Sequence, residues 1–184
     1  MQCAAMPHSP TCRPQQGFTL VEVLVALIVL SIGLLGLAAM QTKGLHYNHE
    51  AYLRSAATVL AQDMTDRMRA NRSAVLNGDY STTSAPSDPG YDCANNFPGG
   101  NNTCTPAQIA KADRYAWYTQ AQSDLPGGCT GATGCKICLD SNPTDSTACD
   151  GGGNVYSIIL SWKEKDPNAA TGFATHDFIT RFQP

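Results

Sequence analysis

From Phe18 to Met40 the sequence reads FTLVEVLVALIVLSIGLLGLAAM, 23 residues carrying a single charge, Glu22. At about 1.5 Å of rise per residue a helix of this length covers roughly 34 Å, enough to cross a hydrocarbon core of about 30 Å. The surrounding charges set this run apart. The chain has 184 residues, with 12 Lys and Arg against 15 Asp and Glu, and of these only Arg13 and Glu22 precede position 41. An ordinary cleavable secretory signal has an apolar run of about 7–15 residues with a small-residue cleavage site behind it. Here the run is too long and no A-x-A follows it. What precedes it is a polar, Pro-rich stretch that ends in Gly17.

Glu22 is the anomaly within the run. A carboxylate inside a membrane helix costs on the order of 3 kcal/mol, so it either stays hydrated among the headgroups or pairs with a cation. No Lys or Arg lies within the segment. Cutting the chain after Gly17 would create an α-amino group on Phe18, about one helical turn from Glu22. That amine, on the same or a neighbouring chain, is the missing cation.

Beyond the run there is no Pro before Pro86 and no Gly between Gly44 and Gly78. The helix is therefore expected to continue from about Phe18 to about Arg72, on the order of 80 Å. Leu53, Ala57, Leu60, Met64 and Met68 recur at spacings of three and four, an amphipathic stripe. Asp63–Arg67 and Asp66–Arg69 are placed to pair across turns on the other side. Gly33 and Gly36 each weaken the lipid half by about 1 kcal/mol against Ala, or else permit close helix packing. His46, His49 and Glu50 offer too few ligands for a metal. With Tyr47 and Tyr52 they read as an interfacial belt.

From Ser73 to Asn154 the composition changes. Eleven of the 16 Gly and six of the 11 Pro fall here, together with six Cys, so loops dominate. One helix stands out. Thr105-Pro106-Ala107-Gln108 has capping-box spacing with Pro at the first helical position. Ile109, Ala112 and Ala116 are read as its apolar face, and Leu125-Pro126-Gly127-Gly128 as its stop. Near the C-terminus the period becomes two. Tyr156, Ile158, Leu160 and Trp162 alternate with Val155, Ser157, Ile159 and Ser161, a strand with apolar residues on both faces, placed at a sheet centre. A polar turn at Asp166-Pro167-Asn168 leads to a second strand from Phe173 to Phe182, antiparallel to the first. The fold class is thus α+β: a long N-terminal membrane-spanning helix packed on a small antiparallel sheet. The organisation expected is 1–17 leader, 18–40 membrane half of the helix, 41–72 its solvent half, and 73–184 a Cys-rich head ending in a β-hairpin. A head of this size has a modest core, which makes staples useful.

The candidate staples are Cys93, Cys104, Cys129, Cys135, Cys138 and Cys149, all read as lying in Gly-rich loops. Cys3 and Cys12 fall in the leader. Six cysteines allow up to three bridges in fifteen connectivities, each contributing about 2–4 kcal/mol. Cys135-Lys136-Ile137-Cys138 is a CxxC, but it lacks the strand-then-helix setting of a redox motif. Cys129, Cys135, Cys138 and Cys149 are too irregularly spaced for a zinc site. Cys135 and Cys138 are expected to take different partners, or one of them to close a small loop. There is no G-x-S-x-G, P-loop, H-E-x-x-H or dinucleotide fingerprint. No catalytic residue, cofactor or metal is assigned, and the chain is read as a non-enzyme. The net charge is −3, and Arg67, Arg69 and Arg72 sit among Asp partners, so no nucleic-acid partner is expected.

Gly17-Phe18-Thr19-Leu20-Val21-Glu22, at the head of a spanning segment, resembles the class III signal of type IV pilins and type II secretion pseudopilins. VEVLVAL (Val21–Leu27), SIGLLGLAAMQ (Ser31–Gln41) and LAQDMTDRMRANR (Leu60–Arg72) are similar to the PilV-type minor pilins, the type IV pilus modification proteins. The resemblance implies that a prepilin peptidase cuts between Gly17 and Phe18 and methylates the new amine. It implies that Glu22 sets subunit register by pairing with a neighbour's N-terminus. It also implies inner-membrane insertion with a periplasmic head, then transfer into a pilus or its priming complex. Membrane lipid, the major and other minor pilins and the inner-membrane assembly platform become the partners. Arg13 is the only basic side chain of the leader, so the positive-inside rule says little about orientation, and Met6 could serve as the start. A minor pseudopilin of type II secretion is the near alternative. A signal-anchored periplasmic enzyme or binding module is the distant one.

Overall fold

The computed structural model describes residues 17–91, 93, 104–130, 134–142, 149–166 and 168–184. The leader with Cys3, Cys12 and Arg13, and Pro167 of the expected turn, lie outside the described residues. Within the chain two units separate, residues 1–47 and 48–184.

Helix α1 (Leu20–Ala70) begins in the first unit. Thr19 starts it: its Oγ1 accepts the Glu22 N–H at 3.3 Å, and its carbonyl accepts the N–H of Glu22 and Val23. This satisfies donors that a helix start leaves unpaired. Every described residue from Gly17 to His49 is exposed. The helix passes Gly33 and Gly36 without a break, and a Cβ added at either would meet nothing within 4 Å. Ser31 and Thr42 return their hydroxyls to the carbonyls of Leu27 and Ala38.

In the second unit α1 buries Leu53, Ala57, Leu60, Ala61, Met64 and Met68, the expected stripe with Ala61 added. A short helix α2 (Arg72–Leu76) follows. Helix α3 (Pro106–Asp124) has the full capping box: Thr105 accepts from the Gln108 N–H, and Gln108 accepts from the Thr105 N–H. Its buried side differs from the one read in the sequence. Ala110, Trp117, Tyr118 and Ala121 face inward, Ile109 and Ala112 are only half-buried, and Ala116 is exposed. Trp117 and Tyr118 carry more apolar area than the small face, so their burial sets the helix rotation.

Three strands form an antiparallel sheet in the order β1-β2-β3: β1 (Lys136–Asp140), β2 (Val155–Lys165) and β3 (Phe173–Phe182). As expected, β2 is central and β3 returns beside it, with Tyr156 opposite Phe182 and Trp162 opposite His176. β1 was not anticipated. Cys138 lies in this strand and not in a loop, because Ile137 and its neighbours gain ladder bonds to β2 on one side and Thr82 on the other. Beyond the end of β1, the turn after α3 takes over that flank of β2. Lys163 donates its N–H to Pro126 at 2.9 Å, and Gly128 comes so close that a Cβ there would overlap the Ser161 carbonyl. A single cluster of buried side chains joins the α1 stripe, α3 and the sheet.

The cysteines pair as Cys93–Cys104, Cys129–Cys135 and Cys138–Cys149, with Cα separations of 5.8, 4.4 and 5.3 Å. The CxxC cysteines thus take different partners, and Cys129–Cys135 closes a small loop.

Candidate functional site

Two regions carry the chemistry, and each is built by its own unit. At the start of α1, Glu22, Ala26 and Leu30 recur every four residues and so share one flank of the helix, with Phe18 just ahead of it. With Val23 and Leu27 they line a shallow hollow of about 330 Å³. Glu22 is the first-turn acid of α1. That position is favourable for an anion, because the helix start presents unpaired N–H groups and the positive end of the dipole. The sequence singles out Gly17, Phe18 and Glu22 and gives Thr19 no role, although its side chain accepts from the Glu22 N–H. The signal was present as Thr19-Leu20-Val21-Glu22, a capping-box spacing overlooked inside an apolar run. From Leu20 to Met40 the surface around this acid is apolar and open. Phe18 is 84% exposed and Leu35 72%. Such a surface has to be covered by lipid or by other helices.

In the second unit a polar cluster ties α1 to α3 and to the chain after α2. Arg67 pairs with Asp63 within its own helix at 2.9 Å and with Asp113 of α3 at 3.0 Å. Tyr80 donates to the other oxygen of Asp113 at 2.7 Å. Asn71 donates to the Pro106 carbonyl and to the Tyr80 hydroxyl. Burial raises the Tyr80 phenol well above its ordinary range, and the adjacent Asp113 carboxylate raises it further. Burial lowers Arg67, but its bonds to Asp63 and Asp113 outweigh that and leave it raised. Burial also raises Tyr156, whose hydroxyl donates to the Val75 carbonyl at 2.8 Å. Trp117 donates its indole N–H to the Leu60 carbonyl at 2.9 Å. Each of these groups is matched with a partner, so the cluster is a positioning device with no open reacting atom. The expected Asp63–Arg67 and Asp66–Arg69 pairs are both present. Asp113 and Tyr80 were not foreseen, because nothing in the local spacing marks a contact 46 residues apart.

Between β2 and β3, Trp162 stacks on His176 at 5.9 Å and donates to Glu164 at 2.7 Å. The His176 ring lies 3.6 Å from the same carboxylate. Of the belt residues, Glu50 pairs with Arg54 at 2.7 Å. Among the described residues no group of three or more His, Cys, Asp or Glu could hold a metal ion.

Comparison with known families finds two adjoining matches. The prokaryotic N-terminal methylation motif matches residues 12–38. A model described as Type IV pilin Tt1218 matches residues 39–115. No curated protein and no solved structure matches the chain.

Proposed function

A type IV pilin subunit, its pilin region set behind an N-terminal methylation motif, is the premise from which we propose that this chain is a minor pilin of the PilV type. It enters a type IV pilus or its priming complex after prepilin peptidase cuts between Gly17 and Phe18 and methylates the new amine. Its work is structural assembly and not catalysis.

One observation carries this reading. A helix that is apolar and exposed on all sides from Leu20 to Met40 has one acid, in its first turn. The apolar surface anchors the chain in the inner membrane, with the second unit on the periplasmic side. Cleavage converts the Phe18 nitrogen from an amide into a cation. Glu22 of one subunit then pairs with that amine on its neighbour. An uncompensated carboxylate in hydrocarbon costs on the order of 3 kcal/mol. Pairing relieves that cost only when two subunits stand in register. The hollow beside Ala26, Leu27 and Leu30 receives the neighbour's helix. The second unit, closed by its own core and three disulfides, stays at the filament surface and meets the major and other minor pilins.

Intact-mass analysis of membrane-extracted and pilus-derived protein tests the reading. We expect a mature chain beginning at Phe18 and heavier by one methyl group. An uncut leader, or a different first residue in sheared pili, overturns it.

A further inference from the structure

The three bridges differ in how they meet solvent. Cys129 and Cys135 belong to the buried core cluster, and Cys138 is 1% exposed in β1. Cys93 and Cys104 are both half-buried, and neither belongs to that cluster. Cys149 is half-buried as well, but its partner Cys138 is not.

Thiol–disulfide exchange needs a thiolate to reach one sulfur while the other leaves as a thiolate. At Cys129–Cys135 both cysteines are buried away from any such attack. At Cys138–Cys149, attack on Cys149 would expel Cys138 as an anion into the interior, with its sulfur 3.7 Å from the Ser157 carbonyl. Burial of that kind disfavours the thiolate. Of the three, Cys93–Cys104 alone leaves both the attacked and the leaving residue in reach of water. Cys104 also stands one residue ahead of Thr105, the N-cap of α3. The positive end of the helix favours an anion there, which makes Cys104 the leaving group and Cys93 the point of attack.

The fold does not depend on this bridge. The first half of α3 is held by its capping box, by Asn71, which donates to the Pro106 carbonyl at 2.8 Å, and by the Arg67–Asp113 pair. The chain ahead of Cys93 is held by the two Thr82–Ile137 bonds and by Arg114, which donates to the Ser81 carbonyl at 3.0 Å. All of these remain when the bridge opens.

We propose that Cys93–Cys104 is a reversible thiol–disulfide exchange site, that its reaction partner is a dithiol, and that it opens while the second unit stays folded. One thiolate of the partner attacks the Cys93 Sγ. The bond to Cys104 breaks, and Cys104 leaves as a thiolate that takes up a proton. The partner's second thiolate then attacks the partner's own sulfur in the mixed disulfide. That closes a disulfide in the partner and releases Cys93, so two electrons pass to the bridge and the partner is oxidised by two. The surface of the second unit thus has two covalent states over one core. The CxxC at Cys135 and Cys138 has no such freedom, because its cysteines are buried in two separate bridges. None of this depends on the pilin reading.

The test uses the protein purified from membranes in detergent, with dithiothreitol as the dithiol and no denaturant. Free thiols are alkylated after brief exposure and located by peptide mass spectrometry. Cys93 and Cys104 should be labelled at about ten-fold lower dithiothreitol than Cys129, Cys135, Cys138 or Cys149. The protein reduced at this bridge alone should keep a cooperative thermal transition, and oxidised glutathione should restore the bridge. Reduced glutathione, a monothiol, followed by an acid quench should leave the mixed disulfide on Cys93 and Cys104 free. Labelling of all six cysteines together, first labelling of Cys138 and Cys149, or loss of the thermal transition on opening this bridge overturns the proposal. Glutathione on Cys104 overturns the assigned direction of attack. The first residue of the chain is read from the same spectra, so an uncut leader sinks the pilin reading and leaves this result standing.

Discussion

Residues 18–47 and residues 48–184 treat apolar side chains in opposite ways. In the first, Leu20, Ile32 and Met40 stand 81, 66 and 76% exposed. In the second, Leu53, Met64, Trp117 and Ile158 are buried, and Asp113, Tyr80 and Ser157 beside the core are hydrogen-bonded. The first region is unfinished alone and has to be completed by lipid or by other helices. The second completes itself. A single charge should therefore decide the behaviour of the first, while the second should respond mainly to packing.

The substitution that most sharply separates them is Glu22→Val. Insertion and cleavage should persist, while the amount recovered in sheared pili falls on the order of ten- to a hundred-fold, the equivalent of losing a pairing of a few kcal/mol. Thermal melting of the second unit should not move. Wild-type recovery would break the contrast at its main point. Trp117→Ala probes the other side. It removes a fully packed indole and leaves the Leu60 carbonyl short of its donor. A loss of about 3–5 kcal/mol in chemical denaturation is expected, with membrane insertion unchanged. Replacing Cys138 and Cys149 together by Ser should cost about 2–4 kcal/mol, read in the same denaturation and absent under reducing conditions.

The smallest effect concerns pH. Tyr80 and Tyr156 are both raised above the ordinary 10.0. Groups with raised values contribute stability that is whole below that pH and lost as pH rises through the folded value. The melting temperature of the second unit should therefore drop above pH 10, and Tyr80→Phe should flatten the drop. A curve that is flat without the substitution would remove Tyr80 as a cause.

The sequence showed most where one periodicity ran long. The stripe from Leu53 to Met68 fixed both the helix and the side it buries, because five positions agreed on one face. The β2–β3 pair was equally legible, since β2 alternates over more than a full strand and its partner begins after a polar turn. The misses have physical reasons. β1 is five residues long with Cys138 at its centre, next to glycine-rich chain, and its identity as a strand comes from Ile158 and Thr82, which lie far away in sequence. The burial of α3 was misread because Ala112 and Ala116 are apolar but small, whereas Trp117 and Tyr118 sit side by side and turn the helix toward themselves. At the candidate site, Gly17, Phe18 and Glu22 could be picked out because a lone acid in an apolar run is rare. Asp113 could not, because its importance comes from Arg67 and Tyr80 meeting it in space.

The bridges also bear on how the chain acquires its covalent form. Cysteines 93, 104, 129, 135, 138 and 149 pair strictly in the order in which they occur. Counted along the chain, the partner of the first, third and fifth thiol in that series is always the next one. An oxidant acting on neighbours in turn produces the native pattern directly. Oxidation in that order closes three short loops one after another, and no bridge has to be broken to reach the native set.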